Sequence, residues 1–115
     1  MNDQRKTVRI QPFVAPCRVI AGDRGVPGYL TDLSEAGARV TCEADPPKED
    51  SDVTLELRIG RVAARSRLGA KVEWVKGQET THSFGLSFAG MPPEQQKALK
   101  AVVAEFRRLA SEIAS

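Results

Sequence analysis

Val53-Thr54-Leu55-Glu56-Leu57-Arg58-Ile59 decides the fold class. Apolar and polar side chains alternate strictly. A period of two places them on opposite faces of a β-strand, one toward a core and one toward water. No helix can sort these residues in that way, because its period is 3.6. Upstream, Ala38-Arg39-Val40-Thr41-Cys42 repeats the alternation and predicts another strand. Between the two, Asp45-Pro46-Pro47-Lys48-Glu49-Asp50 reads as a loop.

Further upstream, Asp32-Leu33-Ser34-Glu35-Ala36-Gly37 reads as a turn. Asp and Ser side chains close local hydrogen bonds to the backbone, and Gly tolerates positive φ. Tyr29-Leu30-Thr31 predicts a short strand before it. Ala21 to Gly28 is dense in turn formers and reads as a loop, and Phe13 to Ile20 predicts the first strand. Residues 1–12 are polar and end at Pro12, which predicts a flexible arm.

Downstream, a turn near Gly60 leads into a looser strand from Val62 to Val75, where Gly69 marks a bulge or bend. Lys76 to Thr80 closes a hairpin, and Phe84-Gly85-Leu86-Ser87-Phe88 is the last strand. Pro92 or Pro93 opens a helix, since a missing N–H is harmless in a first turn. Leu99, Val102, Val103, Phe106, Leu109, Ala110 and Ile113 then recur at helical spacing. That stripe must be covered, by the barrel or by a second copy of the chain. The sum is an all-β-dominated fold: a six-stranded antiparallel β-barrel with a C-terminal α-helix. Closure of the barrel hides the sheet edges. The expected division is an arm over 1–12, a barrel over 13–90 and a helix over 91–115.

The chain has 115 residues, 41% apolar and 28% charged, with a formal charge of +2. That fits one globular domain and is too balanced for a general polyanion binder. The arm is locally basic, with Arg5, Lys6 and Arg9 against Asp3. Cys17 and Cys42 lack a CxxC or Cys/His setting and read as reduced thiols in strands. There is no apolar run long enough to span a membrane, and the N-terminus lacks the apolar core of a signal peptide. The expected location is the cytoplasm.

Two segments carry chemistry. Arg5-Lys6-Thr7-Val8-Arg9 is an RxxxR spacing, and Asp32 to Gly37 is a DxSxxG turn. Either alone is weak, since RxxxR arises in any basic segment and DxSxxG is also simply a good turn. Together, in this order and on a β pattern, they resemble the PilZ domain family, as does the final Phe84-Gly85-Leu86-Ser87-Phe88 strand. The resemblance covers about Gln4 to Phe88. It implies a PilZ-like barrel of the split-barrel type, and a bacterial, non-catalytic receptor for the second messenger cyclic di-GMP. It further implies control of motility, biofilm or exopolysaccharide through a protein partner that the sequence leaves unidentified. The ligand-binding residues it assigns are Arg5, Arg9, Asp32, Ser34 and Gly37. Lys6 is a possible further phosphate contact. Gln4 stands where many ligand-binding members carry another arginine, which leaves open whether one ligand or an intercalated pair is bound.

The chemistry of these residues is consistent with that assignment. A guanidinium fork pairs bidentately with a phosphate or with the O6/N7 edge of guanine. A carboxylate accepts from guanine N–H donors, and a hydroxyl does either. Ligand binding is expected to order the basic arm on the barrel.

Other readings fit less well. Asp32, Ser34 and His82 do not make a hydrolytic triad, because no nucleophile elbow is present. One His and two separate Cys make no metal site, and no cofactor is expected. Trp74 reads as a core or barrel-wall residue rather than a ligand-stacking one. Arg58, Arg61, Arg65 and Arg67 read as outward faces of two strands, or as a basic patch for an acidic partner. The alternative functions are a ligand-blind adaptor of the same fold, and a nucleic-acid-binding barrel, which the few aromatics disfavour. The chain is expected to be a monomer or homodimer.

Overall fold

The computed structural model describes residues 14–57, 59, 65–77 and 79–114. Arg5, Arg9, Gln4 and Lys6, with the rest of the arm, lie outside the described residues, as do Arg58 and Arg61. Six strands form the barrel: β1 Ala15–Ala21, β2 Arg24–Leu33, β3 Gly37–Cys42, β4 Asp52–Leu57, β5 Ser66–Gly77 and β6 His82–Ser87. One helix, α1 Pro93–Ala114, follows. The barrel closes in the order β1-β2-β3-β6-β5-β4, and every neighbouring pair is antiparallel.

The alternation that defines β4 does what its period demands. Val53, Leu55 and Leu57 are buried in the core, together with Val19, Leu30, Val40, Leu68, Val72 and Phe84 from the other strands. Each such side chain contributes roughly 1.5–3 kcal/mol by leaving water.

β2 begins earlier than the sequence predicts, because Gly22 and Asp23 alone make the connection between Ala21 and Arg24. Gly22 has φ 62° and is the first central residue of that two-residue hairpin. Pro27 is compatible with a strand here because the β2–β3 ladder starts only at Tyr29. Gly28 belongs to the strand because a Cβ there would lie 2.8 Å from the Thr41 carbonyl oxygen. Gly69 is not the bulge. It pairs in register with Thr54, and its N–H donates to Gln95 Oε1 at 2.8 Å, which docks the start of α1 on β5. The bulge of β5 lies instead between Val72 and Trp74.

The helix starts at Pro93 as predicted, and Leu99, Val102, Val103 and Phe106 bury its apolar stripe against the barrel. On β4, next to the strand that receives the helix, Glu56 points outward yet is only 6% exposed. Arg67 Nε meets one of its oxygens at 2.9 Å and Arg65 Nη1 the other at 3.4 Å. Two of the four arginines in the sequence cluster therefore clamp a carboxylate. Cys17 and Cys42 are both free. They lie on β1 and β3 with β2 between them, about 9.5 Å of sheet, beyond disulfide reach. None of the described helices is long and apolar enough to cross a membrane.

Candidate functional site

The DxSxxG segment is built from the end of β2 and a four-residue turn. Asp32 and Leu33 still belong to β2, and the turn proper runs from Ser34 to Gly37. Ser34 N–H donates to the Gly37 carbonyl at 2.9 Å. The Ser34 Oγ accepts from the N–H groups of Ala36 (3.2 Å) and Gly37 (3.3 Å), and donates to the Gly37 carbonyl at 3.4 Å. The hydroxyl thus holds the turn closed. Phe88 N–H donates to the Ala36 carbonyl at 3.0 Å and ties the turn to the end of β6.

Gly37 is required for a different reason than the sequence indicates. Its φ is not among the positive ones. A Cβ at this position would sit 2.3 Å from the backbone oxygen of Leu86, so glycine lets β3 and β6 approach at the head of their ladder.

Two bulges then set which side chains reach the outer wall. One lies between Leu30 and Asp32 in β2, the other between Val72 and Trp74 in β5. A bulge puts two consecutive side chains on one face. In β5, Val72 is buried, Glu73 and Trp74 are both exposed, and Val75 turns back to the core. The result is a single row across four strands. Asp32 is in register with Arg39, Arg39 with Gly85, and Gly85 with Trp74. Three strand spacings make the row about 14 Å long.

Trp74 covers Gly85. A Cβ on Gly85 would meet the indole Nε1 at 2.1 Å, Cε2 at 2.5 Å and Cδ1 at 2.8 Å. The ring therefore lies directly on backbone and is 37% exposed. Row and turn together line an open cavity of about 570 Å³. Its lining carries the carboxylates of Asp32, Glu35 and Glu73 and one guanidinium, Arg39. The described part of the cavity is therefore net negative, three charges against one.

Of the sequence-assigned residues, Asp32, Ser34 and Gly37 come together at this cavity, while Arg5 and Arg9 lie outside the described residues. Arg39, Glu73, Trp74 and Gly85 were not assigned from the sequence. Their signal was present in the apolar spacing of β5. Val72 and Val75 are three apart in a strand, so the period slips by one residue and re-aims Trp74.

Comparison with known proteins agrees with this architecture. The sequence profile of the family described as "PilZ domain" matches residues 3–105. The PilZ domain of YcgR from Escherichia coli, solved with c-di-GMP, superposes with a TM-score of 0.71 at 20% identity, covering 96% of this chain and 98% of that one. The PilZ domain of CeSA from a cellulose-synthesizing bacterium gives 0.61 at 18% identity, over 87% and 99%. The inhibitor of motility MotI/DgrA of Bacillus subtilis gives 0.64 at 14% identity, over 93% of this chain and 53% of that one. No curated protein sequence matches this one. A barrel of this strand order, a helix packed on it, and a profile match over most of the chain lead to one conclusion: the chain belongs to the PilZ domain family.

Proposed function

We propose that this chain is a cyclic di-GMP receptor, and that the messenger sits on the Asp32–Gly37 turn and is clamped by Arg5 and Arg9. The observation that carries this reading is an electrostatic mismatch. The described lining of the cavity has three carboxylates and one guanidinium, which alone would repel a ligand with two phosphates. The RxxxR arm supplies the missing positive charge.

The topology supports delivery of that arm. β1 starts at Ala15 in register with Leu30, two residues before Asp32. The chain therefore enters the barrel at the end that carries the turn. Six residues from Arg9 to Ala15 reach up to about 20 Å when extended, and ten from Arg5 up to about 35 Å. Both exceed the length of the row. Further support is that the superposable YcgR domain was solved with c-di-GMP.

The organisation proposed is an arm over 1–12, a barrel over 13–90 and a helix over 91–115. Ligand orders the arm and exposes a new surface to a protein partner. The role is non-catalytic, in motility, biofilm or exopolysaccharide control in the cytoplasm. Charge-assisted contacts are worth about 1.5–3 kcal/mol each, so three to five of them supply the roughly 8 kcal/mol of a micromolar site. Calorimetry with cyclic di-GMP tests the reading. Saturable binding in the micromolar range, lost in Arg9→Ala, is expected. Absence of binding at tens of micromolar overturns it and favours the ligand-blind adaptor.

A further inference from the structure

We propose that the barrel wall over β2, β1, β4 and β5 is a docking surface for an acidic segment of a partner protein, gripped by Arg18, Arg65 and Arg67. The inference names the partner chemistry that the reading above leaves open, and it rests only on that part of the reading.

Strand register builds the surface. Pro27 pairs with Arg18, Arg18 with Glu56 and Glu56 with Arg67, so four side chains stand in one row across four strands. The adjacent row, Val26, Val19, Leu55 and Leu68, fills the core, which sends this one outward. In the closed ring of strands β1 and β4 lie opposite β6 and β3. The wall is therefore turned away from the Asp32–Gly37 turn, and its contacts are complete without a messenger bound there.

Its charge is unbalanced. Glu56 is the only carboxylate of the row, and Arg65 and Arg67 take both its oxygens. Those two side chains are nonetheless 62% and 70% exposed, and a guanidinium has five N–H donors, so each keeps some for a second acceptor. Arg18 is held differently. Its guanidinium lies on Gly25, where a Cβ would meet Nη2 at 2.7 Å and Cζ at 2.8 Å. No ion pair to a described residue occupies it. Three guanidiniums against one carboxylate leave the group with two positive charges. Pro16, Arg18, Glu56 and Arg65 line an open hollow of about 300 Å³ among them.

The surroundings favour a protein over other polyanions. Pro16, Pro27 and Tyr29 border the arginines on the β1–β2 side, and Tyr29 is 56% exposed. Arginine and tyrosine are the side chains that anchor protein interfaces. Proline adds apolar area with no side-chain entropy to lose. A single strand of nucleic acid needs a cationic track with rings along it, and here a carboxylate interrupts the row. An anionic membrane calls for a larger cluster, about four to eight Lys or Arg. Arg18 and Arg67 stand two strand spacings apart, about 9.5 Å. Two turns of a helix advance about 10.5 Å. Carboxylates seven residues apart on an acidic helix therefore match the pair, with a neutral residue above Glu56.

The probe is a helical peptide with glutamates at that spacing on one face. The isotope-labelled full chain is titrated with it, and with the same peptide carrying glutamines. The expected result is saturable change at the amides of Arg18, Tyr29, Glu56, Arg65 and Arg67, absent with the glutamine peptide and weakened as salt rises. Arg18→Gln is expected to weaken binding about tenfold, the size of one charge-assisted hydrogen bond, and Arg18→Glu to abolish it. Should Arg18→Glu fail to fold, Arg18→Gln decides alone. No saturable change, change spread equally over Lys97, Lys100 and Arg107 of α1, or unchanged affinity in Arg18→Gln overturns the docking surface. Tighter binding at the same residues by an oligothymidylate, or by vesicles containing phosphatidylserine, overturns it in favour of nucleic acid or membrane. Calorimetry with cyclic di-GMP on the same sample separates the two readings. Messenger binding without peptide binding overturns the docking surface alone, and peptide binding without messenger binding overturns the receptor alone.

Discussion

Gly37→Ala and Gly85→Ala add the same methyl group, yet the structure separates their consequences. At Gly37 the new Cβ would stand 2.3 Å from the Leu86 carbonyl oxygen. Ordinary contact needs about 3.4 Å, so β3 and β6 must part by about 1 Å at the head of their ladder. One or two ladder hydrogen bonds are stretched, at about 0.5–1.5 kcal/mol each, and overpacking adds about 1–3 kcal/mol. The lower entropy of alanine in the unfolded chain returns about 0.4–1 kcal/mol. The mid-values of these ranges leave a net loss of about 2–3 kcal/mol, a large part of the 5–15 kcal/mol a domain commonly has. In a chain of this size that lowers Tm by roughly 8–12 °C.

At Gly85 the three atoms nearest the methyl group all belong to the Trp74 ring, which is partly exposed and can swing into water. The expected destabilisation is below about 1 kcal/mol, the level of an ordinary surface change. Urea and thermal unfolding of the two variants, monitored by circular dichroism, measure the difference. A Gly37→Ala chain as stable as wild type, or a Gly85→Ala chain as damaged as Gly37→Ala, refutes the reasoning about which contact is rigid.

Three further outcomes are expected. Glu56→Gln removes the charge that Arg65 and Arg67 clamp and should cost about 1–2 kcal/mol in urea denaturation, most of it at low salt. Leu99→Ala empties a buried position where α1 meets the barrel and should cost about 2–5 kcal/mol. The Cys17 thiol is pushed up to about 12 from its usual 9.0, chiefly by burial and secondarily by Cys42. The unfolded chain therefore loses that proton first, so the stability of wild type relative to Cys17→Ala should fall as pH rises from about 9 toward 12. A pH-independent difference between the two chains contradicts this.

The strands whose faces divide cleanly between core and water were legible. Val53 to Leu57 and Ala38 to Cys42 alternate because one face packs into the core and the other carries polar or charged side chains, and the helix stripe shows its period because only one side of it is buried. β2 was misjudged because Gly25, Pro27 and Gly28 are turn formers by local propensity. Each is placed by tertiary contact instead: the Arg18 guanidinium lies against Gly25, Pro27 precedes the β3 ladder, and Gly28 has no room for a Cβ. Local propensity marks Gly37 as a turn glycine, while the structure shows no positive φ there and instead a close approach of another strand, which leaves no local trace. The site was half legible for the same cause. Asp32 and Ser34 sit in one short segment and can be read together. Arg39, Gly85 and Trp74 meet Asp32 only through registers of strands far apart in sequence, and through a one-residue slip in each of two strands.

Amide chemical shifts recorded during a cyclic di-GMP titration locate the site directly. The expected result is saturable change concentrated on Asp32 to Arg39, Glu73, Trp74 and Gly85. The far wall around Arg18, Glu56 and Arg67 should stay still. No change, or change centred on that far wall, contradicts a messenger seated on the turn.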